Sequence, residues 1–338
     1  MEGQAITLIF SDGRSREIVA GAFETVELAA RRSGIRLLTD CREGACGTCK
    51  ARCLRGEFAL SDHSREALSE DEAAAGYVLT CQMRARSRCV VEFDYPFAET
   101  QATPEEAWTA AVASVDRASE SVMRLVLRPE AGYSPGFLPG QYVTIAVPDT
   151  TATRAYSFGN EPGFPDLTFF VRLIEGGTMG EYLLRRARPG DRLRLRGPFG
   201  RFFLRSEERP SLLIAGGSGL APILSILRYL AVQGKSPPRI LVVYGANRRS
   251  DLFGLDDLER LRATLASLEV IVCLAAGDAE WVGPTGLVGD VAAAQDIDLG
   301  SCDVYICGPS PMIEHARTLL IAHGASPERI FVERFLPA

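Results

Sequence analysis

The chain has 338 residues, 46% hydrophobic and 24% charged, with a formal net charge of −6 and nine cysteines against three histidines. At roughly 100–200 residues per domain this length predicts two or three units, each with its own core, and the apolar content excludes a disordered chain. The acidic balance, without a Lys/Arg-rich run, excludes a nucleic-acid partner, and no apolar stretch approaches the roughly 18 residues of a membrane span. Met1-Glu-Gly-Gln-Ala opens no signal peptide, so a cytoplasmic protein is expected, in which an odd number of cysteines points to metal or redox chemistry rather than to disulfides.

Ile6-Thr-Leu-Ile-Phe10 alternates, Ser11-Asp-Gly13 reads as a hairpin turn, and Ser15 to Val19 as the returning strand. A helix is expected from about Thr25 to Ser33, stopped by Gly34. Cys41-Arg-Glu-Gly-Ala-Cys46-Gly-Thr-Cys49 then spells C-x4-C-x2-C, and Cys81 follows after 31 intervening residues, which is plant-type [2Fe–2S] spacing. Such a loop must wrap a small inorganic core with its backbone N–H groups turned toward sulfur, and Gly44 and Gly47 permit the close approach. Structural zinc fits less well, because its second pair would be Cys81 and Cys89, with seven residues between them. Cys53 is the alternative fourth ligand. Cys81 is preferred because it ends a strand-like run, Gly76-Tyr-Val-Leu-Thr-Cys81, that is able to cross beneath the loop. A polar stretch from Ser61 to Gly76 and a last strand, Cys89 to Phe93, complete the unit.

CREGACGTC followed by GYVLTCQMR resembles the ferredoxin domain of ring-hydroxylating dioxygenase reductases of the benzoate/anthranilate/toluate type, and the resemblance continues along the whole chain in that family's domain order. It implies a multi-domain α/β protein. A β-grasp ferredoxin domain is expected at 1–95, a linker at 96–106, an antiparallel six-stranded FAD-binding barrel at 107–206 and a parallel-sheet nicotinamide domain at 207–338. The residues agree. Tyr95 to Glu106 lacks periodicity, Trp108 to Arg205 carries short β-type runs broken by Gly/Pro turns, and from Pro210 strands alternate with helices.

In the barrel, Arg154-Ala-Tyr156-Ser157-Phe158 is similar to the flavin motif of the ferredoxin reductases, which implies a cation for the pyrophosphate, an aromatic against the isoalloxazine and a hydroxyl near N5. Gly176-Gly-Thr178-Met179-Gly180 opens a helix, and the resemblance puts pyrophosphate contacts on Thr178, Met179 and Gly180, the last in place of a frequent serine. Gly216-Gly217-Ser218-Gly219-Leu-Ala-Pro222 follows an apolar strand and resembles the family's nicotinamide loop. Cys307-Gly308-Pro309-Ser-Pro-Met312 matches its C-G-P-x-P-M turn, whose cysteine lies near the nicotinamide. Glu333 and Phe335 resemble the acid and the ring-shielding aromatic of the family's C-terminus, so that Ser157, Cys307 and Glu333 are the catalytic expectations. Asn247-Arg248-Arg249 offers cations for NADPH, whereas the following Asp251-Leu252 resembles NADH-using members, and NADH is the expected donor.

The resemblance implies a wire, with hydride passing from NADH to FAD and single electrons through the [2Fe–2S] cluster to a terminal Rieske-type oxygenase, the reductase itself being monomeric. Three histidines are too few for a Rieske centre and an oxygenase iron together, so oxygen activation is expected on that partner. The rival readings are the reductase of a multicomponent monooxygenase and a stand-alone diaphorase or flavin reductase.

Overall fold

The computed structural model describes residues 3–101, 107–130, 133–235, 237–277 and 280–335. The chain divides into two compact units, Met1–Pro104 and Glu105–Ala338.

In the first unit, β1 (Gln4–Ile9) and β2 (Ser15–Ala20) form the expected antiparallel hairpin, and α1 (Val26–Arg32) follows. Then come β3 (Lys50–Arg55), β4 (Phe58–Leu60), α2 (Glu70–Ala74), β5 (Tyr77–Leu79), β6 (Met83–Ala85) and β7 (Cys89–Glu92). The sheet order β2-β1-β7-β3-β5, with β1 and β7 parallel and the other pairs antiparallel, is a β-grasp; β4 and β6 make a separate ladder. Alternation explains β1, since Ile6 and Leu8 are fully buried while their neighbours are not. Helix α1 starts at Thr25, whose hydroxyl accepts from Leu28 N–H at 3.3 Å, and it buries Val26, Ala29 and Ala30. Replacing Thr25 with alanine is expected to lower the urea-unfolding free energy of this unit by about 1 kcal/mol; an unchanged midpoint and slope would show that the cap contributes nothing.

Two parts of this unit differ from expectation. The polar stretch contains α2, nucleated by a reciprocal capping box between Ser69 and Glu72. The segment expected as linker from residue 96 begins packed. Phe97 is buried edge-on against Phe10, its N–H donates to Asp12, and Phe97–Gln101 is a 3-10 turn. An aromatic that covers the end of the core adds more than a free tether would. The rest of the linker, residues 102–106, lies outside the described residues.

The second unit opens with β8 (Trp108–Arg117), β9 (Val122–Pro129), β10 (Tyr142–Ala146), β11 (Thr153–Ser157), β12 (Leu167–Arg172), α3 (Thr178–Arg185) and β13 (Arg192–Phe199). These strands form a six-stranded antiparallel sheet in the order β11-β10-β13-β8-β9-β12, whose edge strands β11 and β12 come into contact around a core of Leu125, Val143, Phe158, Phe169 and Leu195. An α/β half follows: β14 (Ser211–Gly216), α4 (Leu220–Gln233), β15 (Ile240–Ala246), α5 (Leu255–Thr264), β16 (Leu268–Leu274), α6 (Val288–Ala293), β17 (Asp303–Pro309), α7 (Ser310–Ala322) and β18 (Ile330–Phe335). The sheet is fully parallel in the order β16-β15-β14-β17-β18, so the direction of winding reverses at β14 and opens a crevice at its carboxyl end. Strand β14 explains why both faces are covered. Leu213 and Ala215 join the cluster under α4 and α5, whereas Leu212 and Ile214 join the one under α6 and α7.

Barrel and parallel sheet share a core. Val122, Phe170 and Phe202 from the barrel lie in one apolar cluster with Leu220, Leu224 and Tyr305. Ser225 Oγ donates to the Asn160 carbonyl at 2.6 Å, and Arg228 joins the Gly159 carbonyl to Asp257. The change expected near residue 206 is thus a change of sheet type, not a break in packing.

Candidate functional site

The cysteine loop follows α1 and leads into β3, and Arg42 and Gly44 both take positive φ, 59° and 75°. At Gly44 a Cβ would stand 2.9 Å from His63 Cβ and 3.0 Å from Gln82 Cγ, so the loop is pressed against two later segments of the chain. Cys81 lies two residues past β5, in a turn held to Cys49 by Thr80 N–H and hydroxyl bonds to the Cys49 carbonyl. The thiols fall into two pairs. Cys49 Sγ is 3.2 Å from Cys81 Sγ and both are buried, whereas Cys41 and Cys46 are hydrogen-bonded to each other and half-buried. Ala45 N–H and Cys46 N–H point at Cys41 Sγ, Thr48 N–H at Cys46 Sγ and Gln82 Nε2 at Cys81 Sγ. The Cys46 hydrogen bond and these amides bring Cys41 down to about 5, and the bond from Cys49 holds Cys81 below the ordinary thiol range. Two thiol pairs ringed by amide donors fit a two-iron cluster held by two sulfurs at each end. Cys53 stands apart, half-buried on β3 with its Sγ 3.4 Å from the Arg55 carbonyl and its other thiol neighbour at Cys89.

Strand β11 turns Arg154 and Tyr156 to one side, two residues apart, and ends at Ser157, which is 6% exposed and paired with Tyr142 of β10. Arg154 Nη1 donates only to the adjacent Thr153 carbonyl among the described residues, leaving most of its guanidinium for an anion. Thr178 is the first residue of α3, and its Oγ1 is buried without a hydrogen-bond partner. A buried orphan hydroxyl at a helix N-terminus fits a phosphate oxygen, and with Arg154 it supports a flavin dinucleotide in this cradle. Met179 and Gly180 are buried in the first turn, and a Cβ on Gly180 would lie 3.3 Å from Leu173 Cδ2.

At the crevice, residues from the barrel, from the ends of the parallel strands and from α6 and α7 line a cavity of about 350 Å³. Gly216, Gly217 and Ser218 form its floor at the end of β14; Asn247 and Asp251 follow β15, and Pro309 and Met312 come from the β17–α7 turn. Arg172 enters from β12 and His315 from α7. The Met312 thioether lies across Gly216 and Gly308, where added Cβ atoms would stand 2.2 and 2.8 Å from its Sδ and Cε. Arg249 is ion-paired with Glu280 at 2.9 Å.

Three family models match the chain: a 2Fe-2S iron-sulfur cluster binding domain over residues 9–86, an oxidoreductase FAD-binding domain over 109–204 and an oxidoreductase NAD-binding domain over 213–318. The 2-halobenzoate 1,2-dioxygenase electron transfer component of Burkholderia cepacia is 39% identical, with 98% of both chains covered. The toluate 1,2-dioxygenase electron transfer component of Pseudomonas putida is also 39% identical, over 96% of both. The chain belongs to the family of oxygenase electron-transfer components. Among solved structures, the Amycolatopsis cytochrome P450 reductase GcoB is similar with a TM-score of 0.71 and 28% identity, covering 98% of this chain and 99% of that one. This electron-transfer component is therefore an oxidoreductase of the ferredoxin reductase type with 2Fe-2S, FAD-binding and NAD-binding domains.

Several of the reductase's expected site residues are buried. Phe158, expected at the flavin, is fully buried in the barrel core and stacked on Phe137 at 3.8 Å between centroids, because the residue after Ser157 turns inward. Cys307 is fully buried, and burial followed by the nearby Glu333 pushes its thiol well above the ordinary range, so it stands as a neutral core side chain. Gly219 and Pro222 are buried beneath the loop, and Gly219 sits against the Cys307 carbonyl. Glu333 is the register partner of Cys307, and its Oε2 lies 3.4 Å from the Cβ position of Gly200, which also abuts the Tyr142 ring. Tyr142 is paired with Ser157, so Ser157, Glu333 and Cys307 come into one neighbourhood. Phe335, the partner of Pro309, is half-buried at the end of β18. Sequence reasoning missed Tyr142, Arg172 and His315. No helix of the described residues is long and apolar enough to cross a membrane.

Proposed function

We propose that this chain is the NADH-dependent reductase of an aromatic-ring dioxygenase and delivers electrons to a terminal Rieske-type oxygenase. The observation that carries the reading is the coexistence of the two-pair thiol nest, the Arg154/Thr178 cradle and the crevice at β14 in a chain whose relatives with 34–39% identity are dioxygenase electron transfer components. Propane 2-monooxygenase reductases match at 32–33%. The chemistry supplied by bound FAD and the cluster is the conversion of a two-electron donor into one-electron transfer. The chain's own residues hold and shield. Arg154 and Thr178 would take the FAD pyrophosphate, Tyr156 would flank the ring, and Cys41, Cys46, Cys49 and Cys81 would hold iron.

Preference for NADH follows from charge at the end of β15. Asp251 lines the cavity, where a carboxylate accepts from ribose hydroxyls and repels a 2′-phosphate, and Glu280 engages Arg249. A cytoplasmic setting and a monomeric reductase belong to the same proposal, and nine cysteines without a disulfide support the former.

Anaerobic titration with NADH and with NADPH, followed by reconstitution with a Rieske-type dioxygenase and with a di-iron monooxygenase, tests the reading. NADH is expected to be the better reductant by roughly tenfold or more, about 1.4 kcal/mol of discrimination, and turnover is expected with the dioxygenase. Reduction of dyes alone would overturn the partner, and faster reduction by NADPH would overturn the donor.

A further inference from the structure

His315 was part of no expectation, yet its place in the fold is specific. It lies on α7 one turn beyond Met312, so that both side chains face the crevice. Helices α6 and α7 touch where Gly289 meets Ala316, and a Cβ on Gly289 would lie 2.9 Å from Ala316 Cα and 3.2 Å from His315 Cδ2. The imidazole is therefore laid against a glycine of α6 in the cavity wall. Asp290 of α6 fixes it, with His315 Nε2 2.9 Å from Asp290 Oδ1. A carboxylate oxygen accepts, so Nε2 carries the hydrogen, and in the imidazole tautomer with that hydrogen Nδ1 is the acceptor. Among the described residues Nδ1 has no partner.

We propose that His315, held by Asp290, is a binding residue for the dinucleotide, its Nδ1 accepting a hydrogen bond from a ribose hydroxyl. The chemistry selects the group. A pyrophosphate oxygen cannot donate to a lone pair, whereas ribose hydroxyls and the adenine amine can. The other ionisable side chains lining the cavity, Arg172 and Asp251, come from the barrel and from the loop after β15. Among the described lining residues His315 supplies the imidazole of the α6–α7 wall, so it complements the backbone donors of the Gly216–Ser218 floor rather than duplicating them. Asp290 is a positioning residue that fixes the tautomer of the imidazole, a constraint that the amide of His315→Asn does not need.

Isosteric variants separate the two ring nitrogens. In the full FAD- and iron-loaded protein, His315→Asn places an amide at the Nδ1 position and loses the bond to Asp290. His315→Gln reaches Asp290 and leaves nothing at Nδ1. Calorimetric titration with ADP-ribose, which binds without reducing the protein, is expected to show His315→Gln weakened roughly tenfold, the loss of one hydrogen bond of about 1.4 kcal/mol. His315→Asn should stay within about threefold of the parent. Hypoxanthine-containing NAD+, which has no adenine amine, is expected to show the same His315→Gln penalty; loss of the penalty would reassign the contact to the amine and overturn the ribose. Parental affinity in His315→Gln would overturn the proposal, as would equal weakening of both variants together with a lowered melting temperature, because that pattern marks a structural role at the α6–α7 contact.

Discussion

Cys81→Ser is expected to strip the iron and acid-labile sulfide from the protein while FAD stays bound, and Cys53→Ser to leave both in place. The reason is pairing. Cys81 Sγ lies 3.2 Å from Cys49 Sγ, so its loss leaves one end of the nest with a single sulfur, whereas Cys53 lies on β3 beside Cys89 and away from the amide-lined loop. Because FAD would be held in the other unit, by Arg154 and Thr178, NADH-driven reduction of a two-electron dye should persist. Reduction of a one-electron protein acceptor should fall by roughly 100-fold or more, since even outer-shell partners of a metal site account for 10- to 100-fold. Iron analysis, sulfide analysis and the visible spectrum read the first effect, and cytochrome c reduction the second. Loss of iron from Cys53→Ser with retention in Cys81→Ser would reverse the ligand set.

That contrast marks what was legible in the chain. The spacing of Cys41, Cys46 and Cys49 is a local constraint, since three sulfurs on one tight loop need glycines between them, and such constraints are written in consecutive residues. The βα alternation after Pro210 was legible for the same reason, as each strand is a short apolar run closed by its own turn. What failed depended on side-chain direction or on distant partners. Phe158 reads as a continuation of Arg-x-Tyr-Ser, and it does share the side of Tyr156, but that side leads into the barrel core and the ring falls onto Phe137, 21 residues earlier. Phe97 reads as linker because its partner, Phe10, is far from it in the sequence, near the start of the unit. The crevice takes lining from β12, β14, the loop after β15, α6 and α7, so Arg172 and His315 gain meaning only once the parallel sheet has brought them together. Cys307 is legible by its motif, which is local, whereas its burial is a tertiary property.

The glycine loop after β14 separates a tolerant position from an intolerant one. Gly219 takes an ordinary helical φ of −61°, so it is not needed there for backbone freedom. It is needed for space. A Cβ at Gly219 would stand 2.1 Å from the Cys307 carbonyl oxygen and 2.7 Å from its carbon, both backbone atoms of the neighbouring strand β17. Neither can swing aside, so alanine there must push the start of α4 away from β17 and distort the crevice at the point where the sheet reverses. At Gly216 the Cβ would meet Met312 Sδ at 2.2 Å, the far part of a flexible and partly exposed side chain. Gly219→Ala is therefore expected to slow NADH-driven flavin reduction roughly 100-fold, equivalent to about 3 kcal/mol of overpacking. FAD and iron contents should be unchanged and chemical reduction normal. Gly216→Ala should cost only a few-fold, and adding Met312→Ala should recover part of it by removing the obstructing thioether. Anaerobic stopped-flow at several NADH concentrations tests both. If Gly219→Ala reduces as fast as the parent, the close approach of the loop to Cys307 is not what shapes the nicotinamide crevice.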